Sequence, residues 1–211
     1  MTAIGKTVTL CVVFISLVVG AFVYSTLQTP QLTDAELKER GVFILPRPRD
    51  LAPIKLLDHT GAPFTNDRLM NVWTFVFFGF TNCPDICPTS MAVLGQVERA
   101  LQQEDPQLAN QFAGLLVTVD PERDSPETLG QYATAFSPRF YGLRGTREET
   151  AELATQVNVA FAKVPDGDGY TMDHSGQIVV INPKGHFHGF IKLPHDAETI
   201  RLAFQTLAAG F

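Results

Sequence analysis

The chain has 211 residues, enough for one membrane anchor and one ordinary domain. Its 22 Asp and Glu residues outnumber its 16 Lys and Arg residues, and the formal net charge is −6. No basic stretch or Arg-rich face is visible, so the composition argues against a nucleic-acid partner and is typical of an acidic, solvated surface.

The first feature along the chain is an uncharged apolar segment, Val8 to Leu27. At about 1.5 Å per residue, a helix of this length crosses a bilayer core of about 30 Å. Lys6 precedes the segment and no charge follows it before Asp34, so residues 1–7 are predicted to be cytoplasmic. A cleaved signal peptide and a lipidated Cys11 are the alternatives. The apolar run exceeds a signal-peptide core and no clean cleavage site follows, which favours an uncleaved anchor.

A polar linker is predicted over residues 28–48, and the folded domain over residues 49–211. Within the linker a short helix is expected at Thr33 to Arg40. Thr33 followed by Glu36 has the capping-box pattern that marks the start of a helix.

Strands and helices alternate along the predicted domain. The run VWTFVFFGF at residues 72–80 is apolar throughout, which is typical of a strand buried on both faces. The order of elements predicts a three-layer α/β domain. The expected strands are 54–58, 63–65, 72–80, 115–119, 177–182 and 187–191, and the expected helices are 89–103, 126–136, 146–157 and 196–207.

Two cysteines lie directly after the buried strand, in the sequence TNCPDICP. Pro88 suits the first position of a helix, so Cys87 is expected near the N-cap and Cys83 one turn earlier. Free N–H groups and the helix dipole are expected to lower the pKa of both thiols. At this spacing the two Cα atoms lie about 6 Å apart. The pair can therefore form a disulfide, bind a metal ion, or alternate between the two states.

Two sulfurs alone make an incomplete metal site, and five histidines are candidates for a further ligand. His174 lies in a polar turn of the sequence YTMDHSG and is expected to face the cysteines; a turn histidine bonded to the backbone is the alternative. His186 and His188 share one strand face, a spacing that can bind metal but is more often only an exposed hairpin face. His59 and His195, each beside an Asp, are expected to be solvated.

Copper is the metal that this ligand set favours. Soft thiolates prefer Cu(I) and a neutral imidazole also accepts Cu(II), whereas a structural zinc site normally has four protein ligands. Copper is therefore the metal that best fits a site of two cysteine sulfurs and one imidazole nitrogen. Because the sulfurs must be reduced to bind, metal loading and thiol redox state are expected to be coupled.

An acidic segment, DPERDSPE at residues 120–127, follows the predicted strand 115–119. Sites gather at the carboxyl ends of strands in α/β sheets, so this segment is expected to border the cysteines and to tune or contact the metal. In the alternative reading, Asp124 or Ser125 caps the next helix and Arg123 pairs locally.

Three separated motifs resemble those of the Sco/SenC family of copper chaperones for cytochrome c oxidase. They occur in the family's order, and the likeness covers roughly residues 40–208. His186 and His188 lie outside the family pattern, which leaves an accessory metal contact open. The motifs are FGFTNCPDICP at 78–88, VDPERDSPETL at 119–129 and DHS at 173–175.

The resemblance implies a thioredoxin-like fold with Cys83, Cys87 and His174 as copper ligands. It also implies a role in assembling the CuA centre of oxidase subunit II, with another periplasmic copper chaperone as a further partner. The single predicted N-terminal membrane anchor also resembles that of the family. The expected location is the bacterial inner membrane, crossed once, with the domain on the periplasmic side.

The sequence is compatible with two functions. A metallochaperone binds copper and passes it on by ligand exchange, and it needs no catalytic residue. A thiol–disulfide oxidoreductase would use Cys83 and Cys87 as a redox pair to reduce the cysteines of the subunit II copper site. The C-x-x-x-C spacing differs from the C-x-x-C of thioredoxin-type enzymes and favours the carrier. A peroxidase is disfavoured because Thr81 stands one residue too close to Cys83.

Overall fold

The computed structural model describes residues 3–27 and 31–211, which fall into two compact units. The first unit contains helix α1 (Ala3–Leu27), and the second is a domain that begins at Leu32. Helix α1 starts five residues before the predicted anchor, and its side chains from Val8 to Phe22 are exposed. Within the described chain it is the one helix long and apolar enough to cross a membrane.

The domain contains six further α-helices, one 3₁₀ helix (Asn66–Leu69) and ten strands within its described residues. The helices are α2 (Asp34–Glu39), α3 (Ile86–Glu104), α4 (Pro106–Ala109), α5 (Pro126–Phe136), α6 (Arg147–Gln156) and α7 (Ala197–Ala209). The strands are β1 (Val42–Arg49), β2 (Leu56–Asp58), β3 (Pro63–Phe64), β4 (Trp73–Gly79), β5 (Phe112–Thr118), β6 (Tyr141–Arg144), β7 (Phe161–Asp166), β8 (Gly169–His174), β9 (Ile178–Ile181) and β10 (Phe187–Ile191).

Eight strands form one mixed sheet in the order β1-β10-β9-β4-β5-β6-β2-β3. Every residue of β4 and of β9 is buried, as the apolar runs predicted. Helix α3 packs on β4 and β5 and also contacts α5 and α7. A sheet whose central strands are buried on both faces belongs to a layered α/β fold, and the predicted fold class is confirmed.

The two central parallel strands end side by side. Gly79 of β4 is paired with Thr118 of β5, and the Val119 N–H donates to the Gly79 carbonyl at 2.9 Å. The cysteine segment after β4 and the acidic segment after β5 therefore leave the sheet at the same edge. This is the edge where parallel α/β sheets place their sites.

The linker prediction was wrong beyond residue 31. Helix α2 has the expected capping box between Thr33 and Glu36, but β1 then joins the edge of the sheet and pairs Val42 with Ile191 of β10. Pro46 and Pro48 made this strand difficult to predict from the sequence, because proline is uncommon within strands. Proline lacks an N–H donor, and an edge strand tolerates that loss because one of its sides has no neighbour.

Strands β6, β7 and β8 were also missed. β6 has only four residues, and β7 pairs with β8 in a separate hairpin whose side chains are largely exposed. A short or solvated strand has a weak apolar pattern. His174, expected in a turn, is instead the last residue of β8 and is paired with Phe161.

Asp58 organises the turn between β2 and β3. Its carboxylate is buried and accepts hydrogen bonds from the Thr60 N–H at 2.9 Å, the Thr60 hydroxyl at 2.6 Å and the Ala62 N–H at 3.1 Å. Arg68 lies 3.3 Å away. Burial raises the pKa of this carboxyl, but the hydrogen bonds from Thr60, Ala62 and Arg68 outweigh burial and lower the pKa overall.

Asp58→Asn is expected to lower the free energy of unfolding by about 1–3 kcal/mol at pH 7, because the amide cannot satisfy the same donors. A carboxyl with a lowered folded pKa stabilises the protein above its unfolded pKa of about 3.9, and the benefit disappears as the pH falls through the folded value. The difference between the two proteins should therefore shrink in acid. Urea unfolding of the full chain in detergent at pH 7 and at acidic pH measures it.

The matched control is Asp67→Asn, which changes an exposed carboxylate in the same part of the chain. Its free energy of unfolding should stay within about 0.5 kcal/mol of the wild-type value at both pH values. A pH-independent loss in Asp58→Asn would contradict the assigned role of the ionised carboxylate.

Candidate metal centre

The two cysteines flank the start of α3. Cys83 is half-buried in the loop after β4, and Cys87 has no exposed surface and lies in the first turn of the helix. The helix begins at Ile86, earlier than predicted, so Pro88 is its third residue and not its first. A proline is tolerated there because it lacks an N–H group, and the first N–H groups of a helix have no partner within the helix.

The sulfur of Cys87 packs against Gly79. A Cβ atom at position 79 would lie 2.8 Å from the Cys87 Sγ, so only glycine leaves room for the sulfur. Burial raises the pKa of the Cys87 thiol, the neighbouring Cys83 thiol raises it further, and a backbone hydrogen bond from Phe80 lowers it only in part. The predicted lowering of the Cys87 pKa was therefore wrong, since desolvation outweighs the end of the helix.

His174 brings its imidazole to the buried cysteine. Its Nε2 lies 3.4 Å from the Cys87 Sγ, and its Nδ1 lies 3.2 Å from the Ser175 carbonyl oxygen. A carbonyl can only accept, so Nδ1 carries the proton and the Nε2 lone pair faces the sulfur. Burial lowers the pKa of His174, which favours the neutral imidazole that metals require.

Two aromatic rings set the orientation of this imidazole. The Phe77 and Phe80 rings stand nearly perpendicular to it, with centroids 5.7 Å and 5.9 Å away. Contact with these two apolar rings contributes to the burial of the imidazole. The bond from Nδ1 to a carbonyl is the usual second contact of a metal-binding histidine.

The ligand atoms of Cys83, Cys87 and His174 all lie within 4.8 Å of one another. No other group of three or more Cys, His, Asp or Glu side chains converges in this way among residues 3–27 and 31–211. Both cysteines are free thiols. Two sulfur donors and one imidazole nitrogen fit a soft metal ion such as Cu(I), and the spacing allows all three to reach one ion.

His186 and His188 lie outside the cluster formed by Cys83, Cys87 and His174. His186 Nε2 is 3.2 Å from the Asp50 carboxylate, and His188 Nδ1 is 3.2 Å from the Asn182 side-chain nitrogen. The His188 ring also meets Trp73 edge-on. Within the described residues neither joins a metal cluster. His186 lies one residue before β10 and both side chains are half-buried, so the two do not form the shared strand face that the sequence suggested.

The expectation that His59 and His195 are solvated was wrong. His59 Nδ1 accepts from the Gly142 N–H at 3.2 Å, and His195 Nδ1 lies 2.9 Å from the Ser90 hydroxyl. Burial lowers the pKa of His195. Both histidines are held by long-range contacts that a neighbouring Asp in the sequence does not reveal.

The acidic loop, residues 120–125, borders the cysteine segment as expected. The Asp124 carboxylate is fully buried and accepts from the Thr81 N–H at 3.1 Å, the Thr81 hydroxyl at 2.6 Å and the Thr118 hydroxyl at 2.5 Å. Asp124 therefore fixes the backbone two residues before Cys83. Ser125, and not Asp124, caps α5, and Arg123 pairs locally with Asp120.

These features define a class of protein: a thioredoxin-like α/β domain with a metal site of two cysteines and one histidine at the carboxyl edge of its parallel strands. The model of the SCO1/SenC family matches residues 47–209. This match spans more than half of the chain, and the chain belongs to that family.

Solved structures and curated relatives agree with this membership. Copper-bound ScoI of Arabidopsis thaliana is similar with a TM-score of 0.70 and 28% identity, over 76% of this chain and 98% of that one. Copper-bound yeast Sco1 gives a TM-score of 0.69 and 30% identity, over 78% of this chain and 91% of that one. The mitochondrial SCO2 homolog of Mus musculus is 36% identical over 158 residues, which cover 74% of this chain but only 61% of the mouse protein.

Proposed function

We propose that this protein is a copper carrier for assembly of the CuA centre in subunit II of cytochrome c oxidase. Copper is its cargo, held by the sulfurs of Cys83 and Cys87 and by Nε2 of His174. The observation that carries the proposal is the 3.4 Å separation of the Cys87 sulfur and the His174 Nε2, because the two residues come from distant parts of the chain.

The chemistry of the three donors supports copper. Thiolate sulfur is the soft ligand that Cu(I) prefers, and the imidazole also accommodates Cu(II). In the metal-free protein the buried Cys87 keeps its proton, because burial raises the pKa of this thiol. Copper binding must therefore release that proton, and the neutral His174 needs to release none. Family members solved with copper bound support the same assignment.

The apolar helix α1 supports attachment to a membrane. The proposed location is a bacterial inner membrane, with residues 1–7 in the cytoplasm, one membrane crossing and the domain on the periplasmic side. There the protein would receive copper from another periplasmic chaperone.

A second candidate function is reduction of the disulfide in the subunit II copper site. It is favoured by the two free thiols whose sulfurs lie within 4.8 Å of each other. In this reaction Cys83 and Cys87 are oxidised to a disulfide, and the partner disulfide takes up two electrons and two protons to become two thiols. This function does not need His174 as a metal ligand.

Copper titration of the full chain in detergent, reduced and without oxygen, tests the proposal. Wild type is expected to bind one Cu(I), and His174→Ala to bind it more than about 100-fold more weakly, since even outer contacts of a metal site are worth about 10–100-fold. His186→Ala is the matched control and should bind as wild type does.

Oxidase assembly in cells that lack the wild-type protein separates the two functions. Failure of His174→Ala to support assembly is the result expected of a copper carrier. Assembly that survives His174→Ala but not Cys83→Ser would favour the reductase. Wild-type protein that binds no copper would contradict the carrier outright.

A further inference from the structure

The β7–β8 hairpin, which carries His174, has little strand pairing or side-chain burial to hold it against the rest of the domain. β7 and β8 form a separate two-stranded sheet and share no strand pairing with the eight-stranded sheet. In these fully described strands Met172 is the only buried residue. A cleft of about 670 Å³ adjoins the hairpin, lined in part by Lys163, Met172 and Asp120. Contacts other than strand pairing, among them the Phe77 and Phe80 rings, therefore help to hold His174 near the cysteines.

Tyr170, four residues before His174, makes the main polar contacts between the hairpin and the acidic loop. Its hydroxyl donates to the Asp120 carboxylate at 2.9 Å, and its carbonyl accepts from Arg123 Nη1 at 3.0 Å. The Arg123 guanidinium lies 4.0 Å from the centroid of the Tyr170 ring, and the Lys163 ammonium lies 3.7 Å from it. A tyrosine ring attracts cations at these distances.

Arg123 extends these contacts toward the site. Its guanidinium pairs with Asp120 and lies 5.7 Å from the centroid of the Phe80 ring, one of the two rings that pack against His174. Lys163 adds an ion pair with Glu122 at 2.7 Å. Tyr170, Arg123, Asp120 and Lys163 are named here the Tyr170 cluster.

The acidic loop is also tied to the cysteine side of the site. The Asp124 N–H donates to the Asp120 carbonyl at 3.0 Å, and the Asp124 carboxylate binds Thr81, two residues before Cys83. One short loop therefore contacts both segments that supply ligands. Its Asp120 and Arg123 side chains hold the histidine hairpin, and its Asp124 side chain holds the cysteine segment.

We infer that Tyr170 is a positioning residue that sets the distance between the His174 imidazole and the two cysteines, with the acidic loop as its support. The inference rests on the proposed copper function. The Asp120 carboxylate is buried, but the other members of the Tyr170 cluster are partly exposed. Each contact is modest alone, so the cluster holds the hairpin without fixing it permanently. Release of the Tyr170 cluster would let the imidazole move away from the sulfurs while the main sheet stays folded.

Tyr170→Leu in the full chain tests this role, because it removes the ring and the hydroxyl together. Cu(I) affinity, measured by competition with a chromophoric chelator, is expected to fall about 10–100-fold, as when an outer contact of a metal site is lost. Tyr170→Phe keeps the ring and both cation contacts and should weaken binding by about five-fold or less, the worth of one hydrogen bond. The Cu(II) thiolate absorption band should shift in Tyr170→Leu and be largely restored in Tyr170→Phe.

A measurement without copper separates this role from the proposed function. In the metal-free protein, alkylation of Cys87, followed by mass spectrometry of its peptide, should be faster in Tyr170→Leu because the imidazole no longer covers the buried sulfur. Tyr141→Leu is the matched control, since it removes a tyrosine ring that also contacts an arginine, Arg68, but lies on β6. It should change neither copper affinity nor the alkylation rate of Cys87.

The inference is overturned if Tyr170→Leu binds copper within about two-fold of wild type, a difference too small to reflect a lost outer contact. It is also overturned if Tyr141→Leu weakens binding equally, because the loss would then be one of general stability. If wild type binds no copper, the copper function fails, and the alkylation rate alone decides whether Tyr170 positions the hairpin.

Discussion

Cys87→Ser is expected to weaken Cu(I) binding by more than about 100-fold, which exceeds the loss from an outer contact of a metal site. Serine has nearly the same shape, so the fold should persist. Its hydroxyl is a hard donor that does not ionise near neutral pH, and Cu(I) prefers soft sulfur. Cys83→Ser should have the same effect, since the two sulfurs and the His174 nitrogen lie within 4.8 Å of one another.

Anaerobic competition with a chromophoric Cu(I) chelator measures this loss, with circular dichroism to verify the fold. Cys11→Ser is the matched control, because Cys11 lies in helix α1 and should be irrelevant to the site. One bound copper of wild-type affinity in Cys83→Ser or Cys87→Ser would refute the assignment of these sulfurs as ligands.

Asp124→Ala is the second substitution with a large expected effect. Its carboxylate is fully buried and receives three different donors, so its removal leaves the Thr81 N–H and the Thr81 and Thr118 hydroxyls without this acceptor. The free energy of unfolding should fall by about 2–4 kcal/mol. Copper affinity should fall by about 10–100-fold, because the segment that carries Cys83 is no longer fixed.

Urea unfolding and copper competition on the full chain in detergent measure both effects. Glu127→Ala is the matched control, since it removes an exposed carboxylate from the start of α5. Its free energy of unfolding should stay within about 0.5 kcal/mol of the wild-type value. Wild-type stability in Asp124→Ala would mean that the buried carboxylate does not organise the loop.

Local signals in the sequence predicted most of the fold. The apolar runs marked β4 and β9, and Thr33 and Ser125 cap helices as the sequence pattern suggested. These features depend on neighbours within a few positions, which a sequence displays directly. β1 and the β7–β8 hairpin were missed because prolines or exposed polar residues obscure their patterns, and only the paired strand or the contacting loop explains them.

The candidate site likewise has features that the sequence predicts and features that it does not. The motif at Cys83 and Cys87 could be read from the sequence, since it depends on residue type and spacing. Position alone left His174 open between a ligand and a turn histidine, and the structure brings its Nε2 to 3.4 Å from the Cys87 Sγ. The pKa of Cys87 could not be read from the sequence, because burial against Gly79 outweighs the helix end that the sequence reveals. The proton position on His174 and the contacts of Tyr170 depend on atoms brought together from distant segments.

The two sulfurs differ in their access to solvent, and this difference sets an order of events. An ion arriving from outside meets the partly accessible Cys83 before it can touch Cys87, which has no surface of its own. Under the proposed carrier function an acceptor would also meet Cys83 first, so the bond to the buried Cys87 would be the last to break. A proposed carrier of this kind would load and unload its ion from the solvent-facing side of Cys83, with Cys87 as the more persistent ligand.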